Sequence, residues 1–185
     1  MSAQDEGRFG FAPEHDAPIP YLQRIRDYYQ ALGYGAPYRW AHYAEVPFVP
    51  LKKPLADSRI GLVTTAAPYQ PDKGDQGPGA AYNAAAKFYT VYSGDSAADH
   101  DLRISHIGYD RAHTTAADQN SWFPLPALRQ MAARENPNRR IGTVAPRFHG
   151  MPTNRSHRTT LDEDCPELLR RVREDKVDAV ILVAV

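Results

Sequence analysis

The chain has 185 residues with 22 basic and 22 acidic side chains, so its zero net charge indicates no general attraction to nucleic acid. Hydrophobic residues make up 42 %, as in ordinary globular proteins, and no apolar run approaches the roughly 20 residues that a membrane helix needs. A single cysteine excludes an internal disulfide framework and a cysteine-cluster metal site. We expect a cytoplasmic protein with no nucleic-acid or membrane partner.

The N-terminal third of the chain is rich in proline. Residues 1–18 are polar and unpatterned, which predicts a loose tail. Apolar side chains then recur at helical spacing from Tyr21 to Leu32, and Gly33 is a stop signal. Residues 35–54 hold four prolines and several aromatic residues, so we expect an extended segment that wraps onto the domain. The predicted organisation is therefore a tail followed by one domain over residues 19–185.

Strand and helix patterns alternate in the rest of the chain. The stretch from Ala80 to Tyr92 is ambiguous between helix and strand. Strands are predicted at residues 60–65, 101–107, 141–145 and 177–185, and helices at 124–134 and from a capping box that begins at Asp164. The last strand is apolar almost throughout, a pattern typical of strands buried on both faces of a parallel sheet. We predict an α/β fold with a mostly parallel sheet and flanking helices.

The sequence finishes on this most apolar strand, which allows two interpretations. The strand might be the rim of a sheet that is complete as it stands. Alternatively, the C-terminal part of the fold is missing, and the residue that follows Val185 lies at the ligand-binding edge of the sheet. We favour the second interpretation and expect no catalytic nucleophile within residues 1–185.

Candidate substrate-binding residues follow from the rule that ligands bind outside the carboxyl ends of parallel strands. Hydroxyls at such an end suit a carboxylate, and a histidine there suits general acid–base work or substrate orientation. Loop acids and amides before a helix also cap backbone groups, so a structural role is an open alternative for each. The candidates are Thr64, Thr65, His106, Asp110, Asp118, Asn120 and His149.

Two other groups of side chains are weaker candidates. His106, Asp110, His113 and Asp118 show no recognised ligand spacing, so no metal site is predicted. Cys165 is expected in the first turn of a helix, where the dipole lowers a thiol pKa, yet it has no partner cysteine and we interpret it as inert.

Six short motifs in order resemble one family over roughly residues 38–185. Each motif is weak alone, and their order together is more specific. They are Arg59–Ala66, Gly94–Ser96, Ile104–His106 with Tyr109–Asp110, Asp118–Asn120 with Phe123–Leu125, Ile141–Pro146, and Val177–Leu182. The chain thereby resembles the selenoprotein B family of the glycine, sarcosine, betaine and D-proline reductases.

The resemblance implies reductive cleavage of a small amine or amino-acid substrate at its α-carbon. In that family selenocysteine, or cysteine in some members, directly follows the strand that corresponds to Val177–Val185. A partner subunit carries a pyruvoyl group whose carbonyl forms a Schiff base with the substrate amine, and a small thiol/selenol carrier protein is a further partner. A dithiol then reduces the oxidised selenium–sulfur pair by exchange and becomes a disulfide, which is the acceptor when the reaction is written in reverse. The resemblance implies no cofactor on this chain itself.

Two further interpretations stay open at this point. A cofactor-independent amino-acid racemase also places a cysteine at a strand end, but it needs two opposed cysteines and similar halves, and no internal similarity is visible. A non-catalytic binding or assembly subunit would use residues 35–54 to dock a partner.

Overall fold

The computed structural model describes residues 18–36, 39, 41–77, 80–110, 112–135, 140–153 and 155–185. The chain divides into two compact units, Met1–His42 and Tyr43–Val185. The predicted loose tail lies almost entirely outside the described residues, and the predicted domain boundaries stay predictions. Among the described residues no helix is both long and apolar enough to cross a bilayer.

The first unit contains helix α1 (Tyr21–Ala31), which confirms the helical spacing seen in the sequence. The helix ends where Gly33 adopts a φ of +82°, a left-handed conformation that favours glycine. The backbone N–H of Gly33 donates to the carbonyl of Gln30 at 3.0 Å, which satisfies one of the free carbonyls of the last helical turn. The predicted stop signal is therefore confirmed.

The second unit is built on a sheet with strand β1 (Arg59–Thr64) at its centre. On one side β1 pairs in parallel with β5 (Thr143–Val144) and then with β6 (Arg147–Gly150). On the other side it pairs in parallel with β7 (Ala179–Val183) over five residues. Strand β3 (Tyr92–Asp95) is antiparallel to β6, so the predicted α/β fold with a mostly parallel sheet is confirmed.

Pro146 explains why β5 and β6 are two short strands rather than one. A proline has no N–H to donate to the ladder, so pairing to β1 lapses between Ile60↔Val144 and Val63↔His149. The sequence pattern predicted a strand that ends at Ala145, and it did not predict β6. A small second sheet pairs β2 (Ala67–Pro68) with β4 (Leu102–Arg103), so the strand predicted over residues 101–107 shrinks to two residues.

One face of the sheet carries the hydrophobic core. Leu62 and Phe148 point into it together with Phe123 and Leu125, and each of the four is 1 % exposed. Leu125 begins helix α2 (Leu125–Ala132), which confirms the helix predicted at 124–134. The rings of Phe123 and Phe148 lie 4.7 Å apart in an edge-to-face arrangement, the geometry that aromatic pairs prefer. This aromatic contact joins the start of α2 to the sheet.

The predicted capping box at Asp164 is wrong. Helix α3 (His157–Thr159) continues through a π-helical turn at Thr160–Asp164 into α4 (Cys165–Glu174), so Asp164 lies inside a continuous helical stretch. The cap is Ser156, whose Oγ accepts the N–H of Thr159 at 3.0 Å. The carboxylate of Asp164 is buried and accepts from Nε of Arg155 at 3.2 Å instead.

Two predictions of burial are also wrong. Strand β7 was expected to be buried on both faces, yet Leu182 is 73 % exposed and Val180 37 %. The reason is that β7 is an edge strand with β1 alone beside it among the described residues. Residues 41–54 of the predicted segment contain no helix or strand, as expected, but Phe48 is 89 % exposed, so its side chain does not pack onto the domain.

Candidate functional site

Two consecutive threonines close β1 at the carboxyl edge of the sheet, and the first is fully engaged in structure. Thr64 is 0 % exposed. Its hydroxyl donates to the carbonyl of Trp122 at 3.1 Å and accepts the N–H of Ala66 at 3.1 Å. Both hydrogen-bonding roles of the hydroxyl are therefore used, and they hold the Trp122 backbone against the end of β1.

Thr65 makes a different connection, to the last residue of the chain. Its backbone N–H closes the β1–β7 ladder on the carbonyl of Val183 at 3.2 Å. Beyond that point its side chain continues the pairing, since Oγ1 accepts the N–H of Val185 at 2.8 Å and donates to the Val185 carbonyl at 3.2 Å. Because β1 turns away toward β2 here, the hydroxyl replaces the backbone partner that Val185 would otherwise lack. Val185 is thus held at the carboxyl edge of the central strand.

Lys87 is tied to the same edge through the turn that follows β6, and the sequence prediction missed it. The N–H of Met151 donates to the Thr64 carbonyl at 2.9 Å, so Met151–Thr153 leave the sheet beside the end of β1. Lys87 Nζ donates to the hydroxyl of Thr153, and Lys87 is only 7 % exposed. Burial lowers the pKa of the Lys87 ammonium to about 8. The available signal was a lone charge within the otherwise uncharged stretch Ala84–Tyr92.

A cleft with a volume of about 190 Å³ opens between β4 and the loop that precedes α2. Arg103 in its wall is neutralised by Asp101, with N–O distances of 2.6 and 2.9 Å, and its guanidinium stacks 4.7 Å from the ring of Tyr69. Trp122 links the cleft to the end of β1 through the bond from Thr64. The polar and aromatic lining comprises Gln76, His100, Asp101, Arg103, Tyr109, Gln119 and Trp122.

The predicted residues His106 and Asp110 lie in the loop after β4, where they organise the local backbone. The Nδ1 of His106 accepts the N–H of Gly108 at 3.1 Å. Asp110 is 7 % exposed and accepts from the N–H of Ala112 at 3.1 Å and from Nδ1 of His113 at 2.8 Å. Neither residue lines the cleft, although Tyr109 between them does.

Asp118 and Asn120 form the turn that leads into α2. The carboxylate of Asp118 accepts the N–H of Asn120 at 2.9 Å and caps the 3-10 turn Gln119–Ser121. The Oδ1 of Asn120 accepts the N–H of Ala127 at 3.3 Å. These bonds give both residues a structural role, because they cap the turn and the start of the helix. They also position Gln119 in the wall of the cleft.

His149 lies within β6 rather than beyond its end, and it is 0 % exposed. Its Nδ1 bonds the hydroxyl of Ser93 at 2.8 Å, and its Nε2 lies 3.2 Å from Oδ2 of Asp175 without the alignment of a hydrogen bond. Asp175 is also held by Arg147 at 2.8 Å, and Arg171 donates to Ser93 at 2.8 Å. This polar cluster ties β3 and β6 to the C-terminal end of α4.

The surroundings of His149 predict a pH-dependent stability. Burial lowers the pKa of His149. The positive charges of Arg147 and Arg171 lower this pKa further, and the carboxylate of Asp175 opposes them. The unfolded chain therefore binds more protons than the folded chain below about pH 6.5. We expect the free energy of unfolding to fall with decreasing pH from there, by at most about 1.4 kcal/mol per pH unit. Urea unfolding at pH 7.5, 6.5 and 5.5 measures it.

The matched variants for this prediction are His149→Gln and His157→Gln, the second at an exposed position. The loss of stability between pH 6.5 and 5.5 should shrink in His149→Gln and persist in His157→Gln. An equal loss in His149→Gln and the unaltered chain would show that this histidine does not carry the effect.

Cys165 is not activated. It lies inside the continuous helical stretch rather than in a first turn, so the predicted dipole effect is absent. Burial and the neighbouring carboxylate of Asp164 raise the pKa of its thiol. No group of three His, Cys, Asp or Glu side chains among the described residues is arranged to hold a metal ion.

Comparison with known proteins adds two findings. Residues 30–185 match the family described as glycine/sarcosine/betaine reductase selenoprotein B. Over 139 residues the chain is 32 % identical to the D-proline reductase subunit gamma of Acetoanaerobium sticklandii, a stretch that covers 74 % of this chain and 52 % of that protein. The chain thus spans about half the length of this relative. No solved structure matches it.

Proposed function

Since the chain belongs to the glycine/sarcosine/betaine reductase selenoprotein B family, we propose that it is a selenoprotein B-like subunit of a complex that cleaves a small amine substrate at its α-carbon. A reductase subunit is the type of protein that both comparisons name. The proposal extends this to a substrate such as glycine, sarcosine, betaine or D-proline, with a dithiol as the reductant in the cytoplasm.

We further propose that a selenocysteine or cysteine directly follows Val185 and is the nucleophile. The observation that carries this is the double hydrogen bond between the Thr65 hydroxyl and the backbone of Val185. It holds the end of β7 at the carboxyl edge of a parallel sheet, where α/β proteins bind their ligands. A selenolate or thiolate at that point is the reactive, anionic form of the nucleophile.

The reaction balances as a two-electron reduction. The selenolate or thiolate bonds to the α-carbon while the carbon–nitrogen bond breaks, and nitrogen leaves with the electron pair and takes a proton. A thiolate attacks the selenium or sulfur, carbon leaves with the electrons and takes a proton, and the resulting bond to sulfur is reduced by a dithiol that becomes a disulfide. For a primary or secondary amine the pyruvoyl group of a partner subunit would supply the electron sink at nitrogen, whereas the trimethylammonium group of betaine would leave without it. A thiol/selenol carrier protein is the second proposed partner.

The test is an assay of the complex assembled from the partner subunits and the chain with its proposed continuation. Glycine, sarcosine, betaine and D-proline are offered separately with a dithiol, and amine release or ring opening and disulfide formation are measured. One disulfide per cleaved carbon–nitrogen bond with at least one compound is expected. No cleavage of any of them contradicts the proposal, and racemisation in its place supports the racemase alternative.

The Thr65 hydroxyl gives a specific prediction within this proposal. Thr65→Val removes both bonds to Val185 and keeps the β-branched shape, so the nucleophile is less well positioned. We expect kcat to fall by about tenfold or more, since each lost hydrogen bond is worth about 1 kcal/mol, with little change in KM. Steady-state kinetics of the assembled complex measure both.

Thr65→Ser keeps the hydroxyl and should retain most of kcat, and Thr90→Val alters an exposed threonine as the control. If Thr65→Val and Thr65→Ser lower kcat equally, the hydroxyl does not position the nucleophile.

A further inference from the structure

Lys87 is a buried cation that has no anionic partner in the part of the chain that the structure describes. Two other cations of the second unit are neutralised, Arg103 by Asp101 and Arg147 by Asp175. Lys87 has no carboxylate within ion-pair distance among the described residues, and its Nζ has a neutral partner in the Thr153 hydroxyl. The ring of Tyr82 lies 5.5 Å from Nζ and adds a cation–π contact.

This arrangement is costly unless a ligand completes it. An ammonium group has three N–H donors, and burial removes the water that would satisfy them. One hydroxyl and one aromatic face compensate only part of this cost, because neither carries a full negative charge. An anion that accepts from the remaining donors would recover the lost electrostatic energy.

Hydrogen bonds connect Lys87 to the end of β1, where Val185 and the proposed nucleophile are held. Thr153 follows β6 by three residues, and Met151 of the same turn is bonded to the Thr64 carbonyl at 2.9 Å. Thr64 is followed by Thr65, which holds Val185. The Lys87 ammonium is therefore anchored to the turn that leaves the carboxyl edge of the sheet next to the strand that positions the proposed nucleophile.

We propose that Lys87 binds the carboxylate of the substrate and so orients its α-carbon toward the residue that follows Val185. The inference rests on the proposed function for the identity of the ligand, a small amino acid or betaine with a free carboxylate. At neutral pH the ammonium is mostly protonated even with its lowered pKa, so it serves as an electrostatic anchor rather than as a nucleophilic amine.

The first experiment measures Lys87 directly, without catalysis. The assembled complex is labelled with trace acetic anhydride at pH 8, and the acetylation of Lys87 is compared by mass spectrometry with that of Lys73, an exposed lysine. Glycine, sarcosine, betaine and D-proline are added separately, each beside its carboxamide analogue. Protection of Lys87 by at least one carboxylate and not by its amide is expected, with Lys73 unchanged. Equal labelling in all samples, or equal protection by the amide, overturns the inference.

The second experiment uses variants and the compound that the complex cleaves. Lys87→Met should raise KM about ten- to a hundredfold with a smaller change in kcat, and Lys87→Arg should recover part of the loss. Lys73→Met is the matched control and should leave both constants unchanged. The unaltered complex should prefer the carboxylate over its amide, and Lys87→Met should lose that preference. Retention of the full preference in Lys87→Met contradicts the inference.

The two proposals fail in distinguishable ways. Absence of turnover with all four compounds contradicts the proposed function, and the labelling result then decides the role of Lys87 alone. If the complex turns over substrate but the substrate does not protect Lys87 from acetylation, the proposed function is supported and the substrate-binding role of Lys87 is contradicted.

Discussion

We expect serine, in place of the selenocysteine or cysteine proposed to follow Val185, to lower the rate of amine cleavage by a factor on the order of a thousand or more. A serine hydroxyl at neutral pH is almost entirely protonated, and its oxygen cannot form the selenium–sulfur or disulfide bond that the reductive step requires. The rate of amine release by the assembled complex, with a dithiol in excess, measures the effect.

The matched control for this replacement is Cys165→Ser. The Cys165 thiol is half-buried in a helix and has a raised pKa, so its replacement should leave the rate within about twofold. Substrate protection of Lys87 from acetylation should survive the replacement beyond Val185, because binding precedes attack. A serine variant that keeps its full rate, or a Cys165→Ser variant that loses it, would move the nucleophile away from the end of β7.

Phe148→Ala is expected to give the largest loss of stability among single substitutions in the second unit. Phe148 is 1 % exposed, and its ring lies 4.7 Å from the rings of both Phe123 and His100 and 6.1 Å from that of Tyr92. Truncation leaves a cavity between the sheet and the start of α2, which typically costs about 3–5 kcal/mol. Urea unfolding followed by tryptophan fluorescence measures the change, because Trp122 adjoins Phe123 in this cluster.

The chain offers Phe48→Ala as a matched control for Phe148→Ala. Phe48 is 89 % exposed, so the same chemical change should shift the free energy of unfolding by less than about 0.5 kcal/mol. Similar shifts in the two variants would contradict the placement of Phe148 at the centre of the core.

Elements whose own residues determine them are predictable from the sequence. Strand β1 is a run of apolar and β-branched residues that ends before Pro68, and α1 repeats its apolar residues every three to four positions before Gly33. The parallel sheet follows from strands that alternate with helices. The resemblance of the ordered motifs to the selenoprotein B family is confirmed by the match over residues 30–185.

Features that depend on distant neighbours are not predictable in this way. The apolar sequence of β7 indicates a strand, but its exposure results from its position at the edge of the sheet. Strand β6 has a mixed-polarity sequence that does not indicate a buried strand. Its His149 is buried against Asp175, which lies 26 residues further along the chain. Lys87 belongs to the candidate site only because the turn after β6 brings Thr153 to it.

The protein isolated from its own source shows whether a reactive selenocysteine or cysteine directly follows Val185. The protein is reduced, alkylated with iodoacetamide and digested with trypsin, which cleaves after Lys176, and the peptide that begins at Val177 is sequenced by mass spectrometry. We expect a peptide that continues past Val185 into an alkylated selenocysteine or cysteine. A peptide that ends at Val185 with a free carboxylate, or that continues with any other residue, would contradict this expectation.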